Sequence, residues 1–357
     1  MHDSLMHLYR KKIIDGEKYM SRITIKSIAQ DLNLSRNTVS MAFKGDPKVA
    51  PETRRKIVSH AFSMGYTKLS FDEDVPNNKE TPIRILVIRR VDQTAYWDRV
   101  INGVSEEAAR YNCILNISVV TQENIDFLQF PIGYSEDIDA CLFLHKFGDT
   151  YSRKILSNNK IGIFLDRKNY TYLEPILGDV IKSEGRRSVM QLTQSLIKQG
   201  MTKIAYLCPY FINAETFNDR YDGYCAAMTT AGLAILPEYV VTSSPYQDKS
   251  ICFKATLDQL PDLPEAIVCA NDDSASKFAT LLMARGVRIP EDVAITGYDN
   301  DEYDAFTPFF TTVECNAHHL GERLVQQLIW RMHHPGSPFE TITISSTPIY
   351  RKSSQKK

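Results

Sequence analysis

The sequence has few of the signals that mark membrane, secreted or metal-binding proteins. No apolar run reaches the roughly 18–20 residues that a membrane helix requires, and the first 20 residues lack the apolar core of a secretory signal. The seven cysteines are odd in number and form no CxxC pair, which argues against a disulfide framework and a zinc site. We therefore expect a cytoplasmic protein of two or three domains without membrane contact.

Signatures of catalysis are also missing. The sequence has no GxxxxGKS or GxxxxGKT phosphate loop, no GxSxG elbow and no HExxH helix. The pairs His318-His319 and His333-His334 are adjacent, and adjacent residues of a helix do not share a face. The acidic segment 299–304 lacks the glycine and the glutamate of a calcium loop. We expect no enzymatic activity, no metal and no cofactor.

Charge is divided unevenly along the chain. The first 66 residues hold 12 Lys and Arg against 6 Asp and Glu, whereas the remaining residues hold 30 against 37. A basic head on an acidic body is typical of a polyanion-binding module joined to a separate globular part.

Three short helical patterns occupy the basic segment. The first has apolar residues at helical spacing, namely Ile25, Ile28, Ala29 and Leu32. Thr24 is placed to cap this helix, and Asn33 tolerates the left-handed conformation that a sharp turn requires. The second helix begins at Ser35 and ends at Gly45, and the third opens with Pro51. Two helices joined by a four-residue turn and followed by a third predict a helix-turn-helix domain.

One face of the second helix carries long polar side chains. Val39, Ala42 and Phe43 share an apolar face, which leaves the opposite face for a partner. Arginine can bind guanine with two hydrogen bonds and asparagine can do the same with adenine, while hydroxyls and a helix N-terminus suit phosphate oxygens. The predicted DNA-binding residues are Thr24, Ser35, Arg36, Asn37, Thr38, Ser40, Met41 and Lys44. The alternative, an ordinary solvated helix face, stays open at this point.

The pattern changes after a polar segment at residues 67–82. Short apolar runs then alternate with amphipathic stretches, and the runs are 83–88, 114–120, 140–145, 161–166, 203–208, 266–270 and 293–296. Short buried strands alternating with helices predict parallel α/β sheets. Roughly 270 residues of this pattern are too many for one small sheet, so we expect two similar lobes.

Several segments together resemble one family. Residues 23–45 read "ITIKSIAQDLNLSRNTVSMAFKG", and the segments "RYDGYCAAM" (220–228), "CAND" (269–272) and "RGVRIPEDVAITGYDN" (285–300) follow in order. Over 23–354 the chain resembles the lactose-repressor (LacI/GalR) family of bacterial transcription regulators. The resemblance implies a periplasmic-binding-protein-like pair of lobes, a ligand between them and a homodimer.

The resemblance also implies the residues of an effector site. Arg220 matches an arginine that family members use on effector hydroxyl or carboxylate groups, and the other matched positions are Tyr96, Trp97, Thr216, Asn271 and Asp299. Loops at the carboxyl edge of a parallel sheet are where ligands bind, and aromatic faces with forked polar groups suit a sugar. Two alternatives stay open: an acidic residue just past a strand often caps the next helix, and Trp97 also fits core or dimer packing.

The chain departs from the family pattern in places. The resemblance implies a hinge helix after the head, but the chain has acidic residues at 72–74 and a proline at 76 in its place. The acidic residues repel phosphates, and Pro76 disfavours a helix at the preceding residue. Met41 stands in place of a frequent arginine, and Lys182 ends the segment that is usually Val-Asp-Asn.

These observations predict a small all-α helix-turn-helix domain plus an α/β two-lobed periplasmic-binding-protein-like domain. The expected divisions are an N-terminal extension (1–20), a DNA-binding domain (21–66), an atypical hinge (67–82) and an effector-binding and dimerisation domain (83–357). We expect a transcriptional repressor whose partners are double-stranded operator DNA, a sugar-like effector and a second copy of the chain. The alternative is a cytoplasmic sugar sensor that acts through protein partners with weak or no specific DNA binding.

Overall fold

The chain divides into two compact units, Met1–Glu80 and Thr81–Lys357. The computed structural model describes residues 24–43, 48–50, 53–54, 56–57, 60–61, 81–91, 94–157, 160–166, 176–209, 215–243, 249–301 and 308–355. The extension at 1–20, Lys44, Gly45 and the acidic hinge at 72–76 lie outside these residues. No helix in the described ranges is long and apolar enough to cross a membrane.

The described part of the first unit contains two short helices, α1 (Ile25–Asp31) and α2 (Arg36–Phe43). Asn33 between them has a φ of 51°, so the left-handed turn predicted at this residue is confirmed. The helices pack through a small apolar cluster formed by Ile28, Ala29, Val39, Ala42, Phe43, Val49, Ile57 and Ala61. Ile57 and Ala61 belong to the segment predicted as the third helix. The described residues of this segment, 53–54, 56–57 and 60–61, are helical.

The second unit alternates helices and strands. Its helices are α3 (Ala95–Arg110), α4 (Gln122–Asp126), α5 (Asp149–Ile155), α6 (Arg186–Lys198), α7 (Glu215–Thr230), α8 (Lys249–Gln259), α9 (Asp272–Ala284) and α10 (Ala317–His333). Its strands are β1 (Ile83–Arg90), β2 (Cys113–Val120), β3 (Ala140–Phe143), β4 (Ile161–Leu165), β5 (Asp179–Ser183), β6 (Ile204–Leu207), β7 (Val240–Val241), β8 (Ala266–Cys269), β9 (Ala294–Thr296), β10 (Thr312–Glu314), β11 (Thr341–Ile344) and β12 (Thr347–Ile349).

Ten of these strands form two parallel sheets, one in each lobe, so the predicted pair of α/β lobes is confirmed. The sheet of the first lobe has the order β11-β5-β4-β3-β1-β2, and the sheet of the second lobe has the order β7-β6-β8-β9. All seven apolar runs that predicted strands are strands in the structure. The apolar-run pattern missed β5, β7, β10, β11 and β12. Strands β7, β10 and β12 are only two or three residues long, β5 has polar ends, and the isoleucines of β11 alternate with threonines at the sheet edge.

The chain passes between the two lobes three times. It leaves the first lobe between β5 and α6, returns between β10 and α10, and crosses again between β11 and β12. Strands β10 and β12 pair antiparallel beside the second lobe. Each lobe is therefore completed by distant parts of the sequence.

Helices α3 and α10 of the first lobe approach each other through glycines. A Cβ atom on Gly103 would lie 1.9 Å from the carbonyl oxygen of His318, and one on Gly321 would lie 2.1 Å from the carbonyl oxygen of Val100. Both carbonyl oxygens belong to the backbone of packed helices, so making room for a Cβ atom would require a whole helix to shift.

We expect Gly103→Ala to lower the free energy of unfolding by about 1–3 kcal/mol or more, because the added methyl group overpacks the contact between α3 and α10. Urea unfolding of the full chain measures this change. Ser105→Ala, on the exposed face of the same helix, is the matched control and should change the value by less than about 0.5 kcal/mol. Equal effects of the two substitutions would contradict the close approach.

Candidate functional site

The N-terminal ends of α1 and α2 are capped by the predicted side chains. Thr24 and Ser27 form a reciprocal capping box, in which the Thr24 Oγ1 accepts from the backbone N–H of Ser27 at 3.3 Å. The Ser35 Oγ accepts from the backbone N–H of Thr38 at 3.0 Å and lies 2.8 Å from the Thr38 hydroxyl. These bonds fix where each helix begins, while the apolar cluster of the head packs α2 against α1.

The side chains of α2 divide as predicted, with one exception. Val39 is fully buried, whereas Arg36 and Asn37 are exposed and Ser40 is half-buried. Met41 is the exception, because its half-buried side chain packs against the apolar cluster of the head instead of lying wholly on the polar face. Its unbranched apolar side chain gains more from this contact than from water. Lys44 lies outside the described residues.

In the second unit, Arg220 is the most enclosed charged group of the predicted site. Its Nη1 donates to the carbonyl oxygen of Ala270 at 2.7 Å, and its Nη2 lies 3.5 Å from Oδ1 of Asp299. The guanidinium stacks 3.6 Å from the centre of the Tyr298 ring and 4.6 Å from that of Phe217. Its Nε is buried and has no hydrogen-bond partner among the described residues. A guanidinium has five N–H donors, so this arginine has donors left for a further polar group, the Nε–H among them.

Burial changes the ionisation of the groups around Arg220. It raises the pKa of Asp299 to about 7, although the positive charges of Arg220 and Arg99 act in the opposite direction. Burial also raises the pKa of Tyr96, and the nearby Cys315 and Asp299 add to this effect. Tyr96, Arg220 and Asp299 therefore lie within electrostatic reach of one another in one enclosed region.

A direct hydrogen bond joins the two lobes beside Arg220. Asp166 follows β4 of the first lobe, and its Oδ2 accepts from the hydroxyl of Thr216, on α7 of the second lobe, at 2.5 Å. Lys146, which follows β3, has its Nζ 4.5 Å from the centre of the Phe217 ring. Burial lowers the pKa of Lys146 to about 8, while the charge of Asp166 partly offsets that effect. The cleft between the lobes is thus lined by aromatic rings, carboxylates and cations together.

Comparisons with known proteins agree with this geometry. Residues 193–354 match the family model described as a periplasmic binding protein-like domain. The chain is 26% identical over 346 residues to the HTH-type transcriptional repressor PurR of Mannheimia succiniciproducens, covering 93% of this chain and 99% of that protein. These similarities support the resemblance to the LacI/GalR family that the sequence motifs indicate.

Solved LacI/GalR-type structures show the same fold. The structure of the transcriptional regulator CelR in complex with cellobiose superposes with a TM-score of 0.63 at 21% identity, covering 93% of this chain and 100% of that one. The lac repressor dimer bound to operator and the anti-inducer ONPF superposes with a TM-score of 0.62 at 16% identity, covering 94% and 100%.

The structure brings together four of the six residues that the LacI/GalR resemblance selected. Tyr96, Thr216, Arg220 and Asp299 all lie in the cleft. Asn271 stands at its edge and caps α9, since its Oδ1 accepts from the backbone N–H of Ser274 at 3.0 Å.

Trp97 packs within the first lobe. Its ring is stacked on that of His145 with 3.8 Å between centroids, and it meets the Tyr96 ring edge-on at 4.9 Å. The side chain is half-buried against the lobe core. The contacts of Trp97 therefore indicate a packing role, in which its ring holds the orientation of Tyr96.

Sequence reasoning missed Asp166 and Lys146 as cleft residues. Both follow strands that the apolar runs had identified, in "IGIFLD" and "ACLFLHK". Polar side chains directly after a buried parallel strand are the signal that would have selected them. Among the described residues, no three His, Cys, Asp or Glu side chains are grouped so that they could hold a metal ion.

We expect the free energy of unfolding to fall as the pH rises from about 4 to about 8. Burial raises the pKa of Asp272 to about 8 and that of Asp299 to about 7, so the folded chain keeps protons that the unfolded chain, with carboxyl pKa values near 4, has lost. The slope is at most about 1.4 kcal/mol per pH unit for each group. Urea titrations at pH 5 and 7.5 measure it, and Asp272→Asn should make the decline shallower. An identical decline in the variant would contradict the assignment to Asp272.

Proposed function

We propose that this protein is a DNA-binding transcriptional repressor whose operator affinity is controlled by a small molecule bound between the two lobes. The proposal assigns DNA reading to the head, residues 21–66, and effector binding to residues 83–357. The observation that carries it is that one chain contains two parts. The first has a capped helix that exposes Arg36 and Asn37, and the second is a separate two-lobed unit whose cleft is polar and aromatic.

The head supplies the groups that sequence-specific DNA binding needs. Arg36 and Asn37 stand on the exposed side of α2, where they can reach base edges when the helix lies in a major groove. The hydroxyls of Ser35 and Thr38 and the start of α2 can contact phosphates, as can Thr24 at the start of α1. The repressor names of the relatives support this assignment.

The cleft supplies the groups that bind a sugar or sugar derivative. Aromatic rings can stack on the apolar face of a pyranose or furanose, and Arg220, Asp299 and Asp166 can pair with its hydroxyls. CelR is described in complex with cellobiose, and one relative is named as a ribose operon repressor, which supports a carbohydrate. Ligand binding would change the closure of the lobes, and coupling of this kind typically amounts to about 1–3 kcal/mol.

A homodimer is the form that we propose for DNA binding, because two heads can then read two half-sites. Strand β2 is the edge of the first-lobe sheet, and it exposes the apolar side chains of Ile114, Ile117 and Val119. Phe127 and Ile132, shortly after β2 in the chain, are also exposed. An unpaired apolar edge is a hazard unless a partner covers it, and we assign that partner to a second copy of the chain.

We expect the double substitution Arg36→Ala with Asn37→Ala to weaken specific DNA binding about 30-fold or more, because each lost base contact costs about 1–3 kcal/mol. Duplexes selected from a random library with the wild-type chain provide the operator, and fluorescence anisotropy measures the affinity. Gln30→Ala, an exposed change on α1 outside the predicted DNA-binding residues, is the control.

Failure to enrich any duplex, or wild-type affinity in the double variant, would overturn the DNA-binding proposal. Affinity should also fall steeply between low and moderate salt, because bound Lys and Arg release counterions from the phosphates. A chain that acts through protein partners would show little DNA affinity at any salt concentration.

We expect a thermal-shift screen with D-ribose, cellobiose, other sugars and their phosphates to identify a stabilising ligand. Arg220→Met should weaken its binding at least tenfold, because a hydrogen bond from a charged group contributes about 1.5–3 kcal/mol. Arg285→Met is the control, since Arg285 pairs with Asp258 on helix α8, away from the cleft residues. A melting temperature unmoved by every carbohydrate would contradict the sugar and favour a nucleobase or amino-acid-like effector.

A further inference from the structure

The turn that presents Asp299 has an unusual backbone. Asp299 has a φ of 106° and the next residue, Asn300, has a φ of 49°. Two consecutive non-glycine residues with positive φ are unfavourable, and such a conformation persists only when the surroundings hold it. The contacts of this turn, residues 298–301, therefore determine where the Asp299 carboxyl group points.

The second lobe binds the backbone N–H groups of the turn. The N–H of Asp299 donates to the carbonyl oxygen of Val313 at 3.1 Å, and that of Asn300 donates to the Thr312 hydroxyl at 3.2 Å. The N–H of Asp301 donates to Oδ2 of the buried Asp272 at 2.9 Å. All three bonds lie within one lobe, so they are available whether the lobes are open or closed.

The first lobe binds the carbonyl groups of the same turn through one side chain. Arg99, on α3, donates from Nη2 to the carbonyl oxygen of Asp299 at 2.5 Å and from Nη1 to that of Asn300 at 2.8 Å. Arg99 comes three residues after Tyr96, so both lie on the same side of α3. A guanidinium fork matches two neighbouring carbonyl oxygens, and its charge strengthens both bonds.

We propose that Arg99 is a positioning residue of the effector site, which fixes the left-handed turn and thereby aims Asp299 at Arg220 and the ligand. The inference rests on the proposed effector site in the cleft. Because Arg99 and the turn belong to different lobes, these two bonds break when the lobes separate. Closure of the lobes and orientation of Asp299 are then a single event, which makes the affinity for a ligand depend on closure.

A second contact between the lobes provides a matched comparison. Lys182, at the end of β5 in the first lobe, donates to Glu215 at 2.6 Å and to Asp219 at 2.9 Å on α7 of the second lobe. This ion pair also holds the lobes together, but none of its bonds reaches residues 298–301. Loss of Lys182 therefore tests closure in general, whereas loss of Arg99 tests the turn.

Hydrogen exchange measured by mass spectrometry on the full chain without ligand tests the positioning role. We expect Arg99→Met to speed exchange at the amides of residues 299–301 about tenfold or more, and Lys182→Met to speed it clearly less, because Arg99 still binds the turn whenever the lobes are closed. Arg99→Lys, which keeps the charge but not the fork, should give an intermediate rate and guards against misfolding of the methionine variant. Unchanged exchange in both Arg99 variants, or equal acceleration in Lys182→Met, would overturn the proposal.

A double-mutant cycle with Asp299→Asn tests whether Arg99 acts through Asp299. D-ribose and cellobiose are the probes, and titration calorimetry gives the dissociation constant. We expect Arg99→Met to weaken binding about tenfold in the wild-type background and less than about twofold in the Asp299→Asn background. Equal losses in both backgrounds would show that Arg99 acts independently of Asp299. If neither sugar binds, these two effector candidates fail, while the exchange result still decides the role of Arg99.

Discussion

The buried charge of Arg220 is the constraint on which the cleft depends. A guanidinium removed from water costs several kcal/mol unless its surroundings compensate it. Here the compensation comes from the Ala270 carbonyl, the Asp299 carboxyl group and the face of Tyr298. These groups lie on two segments of the second lobe, at residue 270 and at residues 298–299, and Arg220 itself lies on a third. Their convergence requires the whole sheet, so the site and the fold of this lobe are stabilised by the same interactions.

Polar groups of opposite lobes also form hydrogen bonds and ion pairs with each other. Asp166 binds Thr216, Lys182 binds Glu215 and Asp219, and Arg99 binds the turn that carries Asp299. In the proposed effector function, a ligand entering the cleft has to replace or complete these bonds, since a polar group left unpaired costs about 1–3 kcal/mol. Its contacts with both lobes would then shift the balance between open and closed lobes.

Much of the fold could be predicted because its signals are local. The capping role of Thr24, the left-handed Asn33 and the apolar side of α2 depend on residues within one or two turns, and the structure confirms each of them. Met41 shows the limit of this reasoning, because helical spacing placed it on the polar face while contact with the head cluster draws it inward. The edge strand β11 shows another, since its partner β5 lies far away in the sequence.

The sequence by itself determined the order of helices and strands, the division into a basic head and an α/β body, and the family pattern that selected Arg220 and Asp299. Periodicity, capping and motif spacing are properties of neighbouring residues, so they can be read without a structure. Only the tertiary structure decided which side chains meet across the cleft. Asp166 and Thr216 are 50 residues apart, and Arg99 and Asp299 are 200 apart. Such pairs form because the chain crosses between the lobes three times, and no local pattern records where those crossings bring distant residues together.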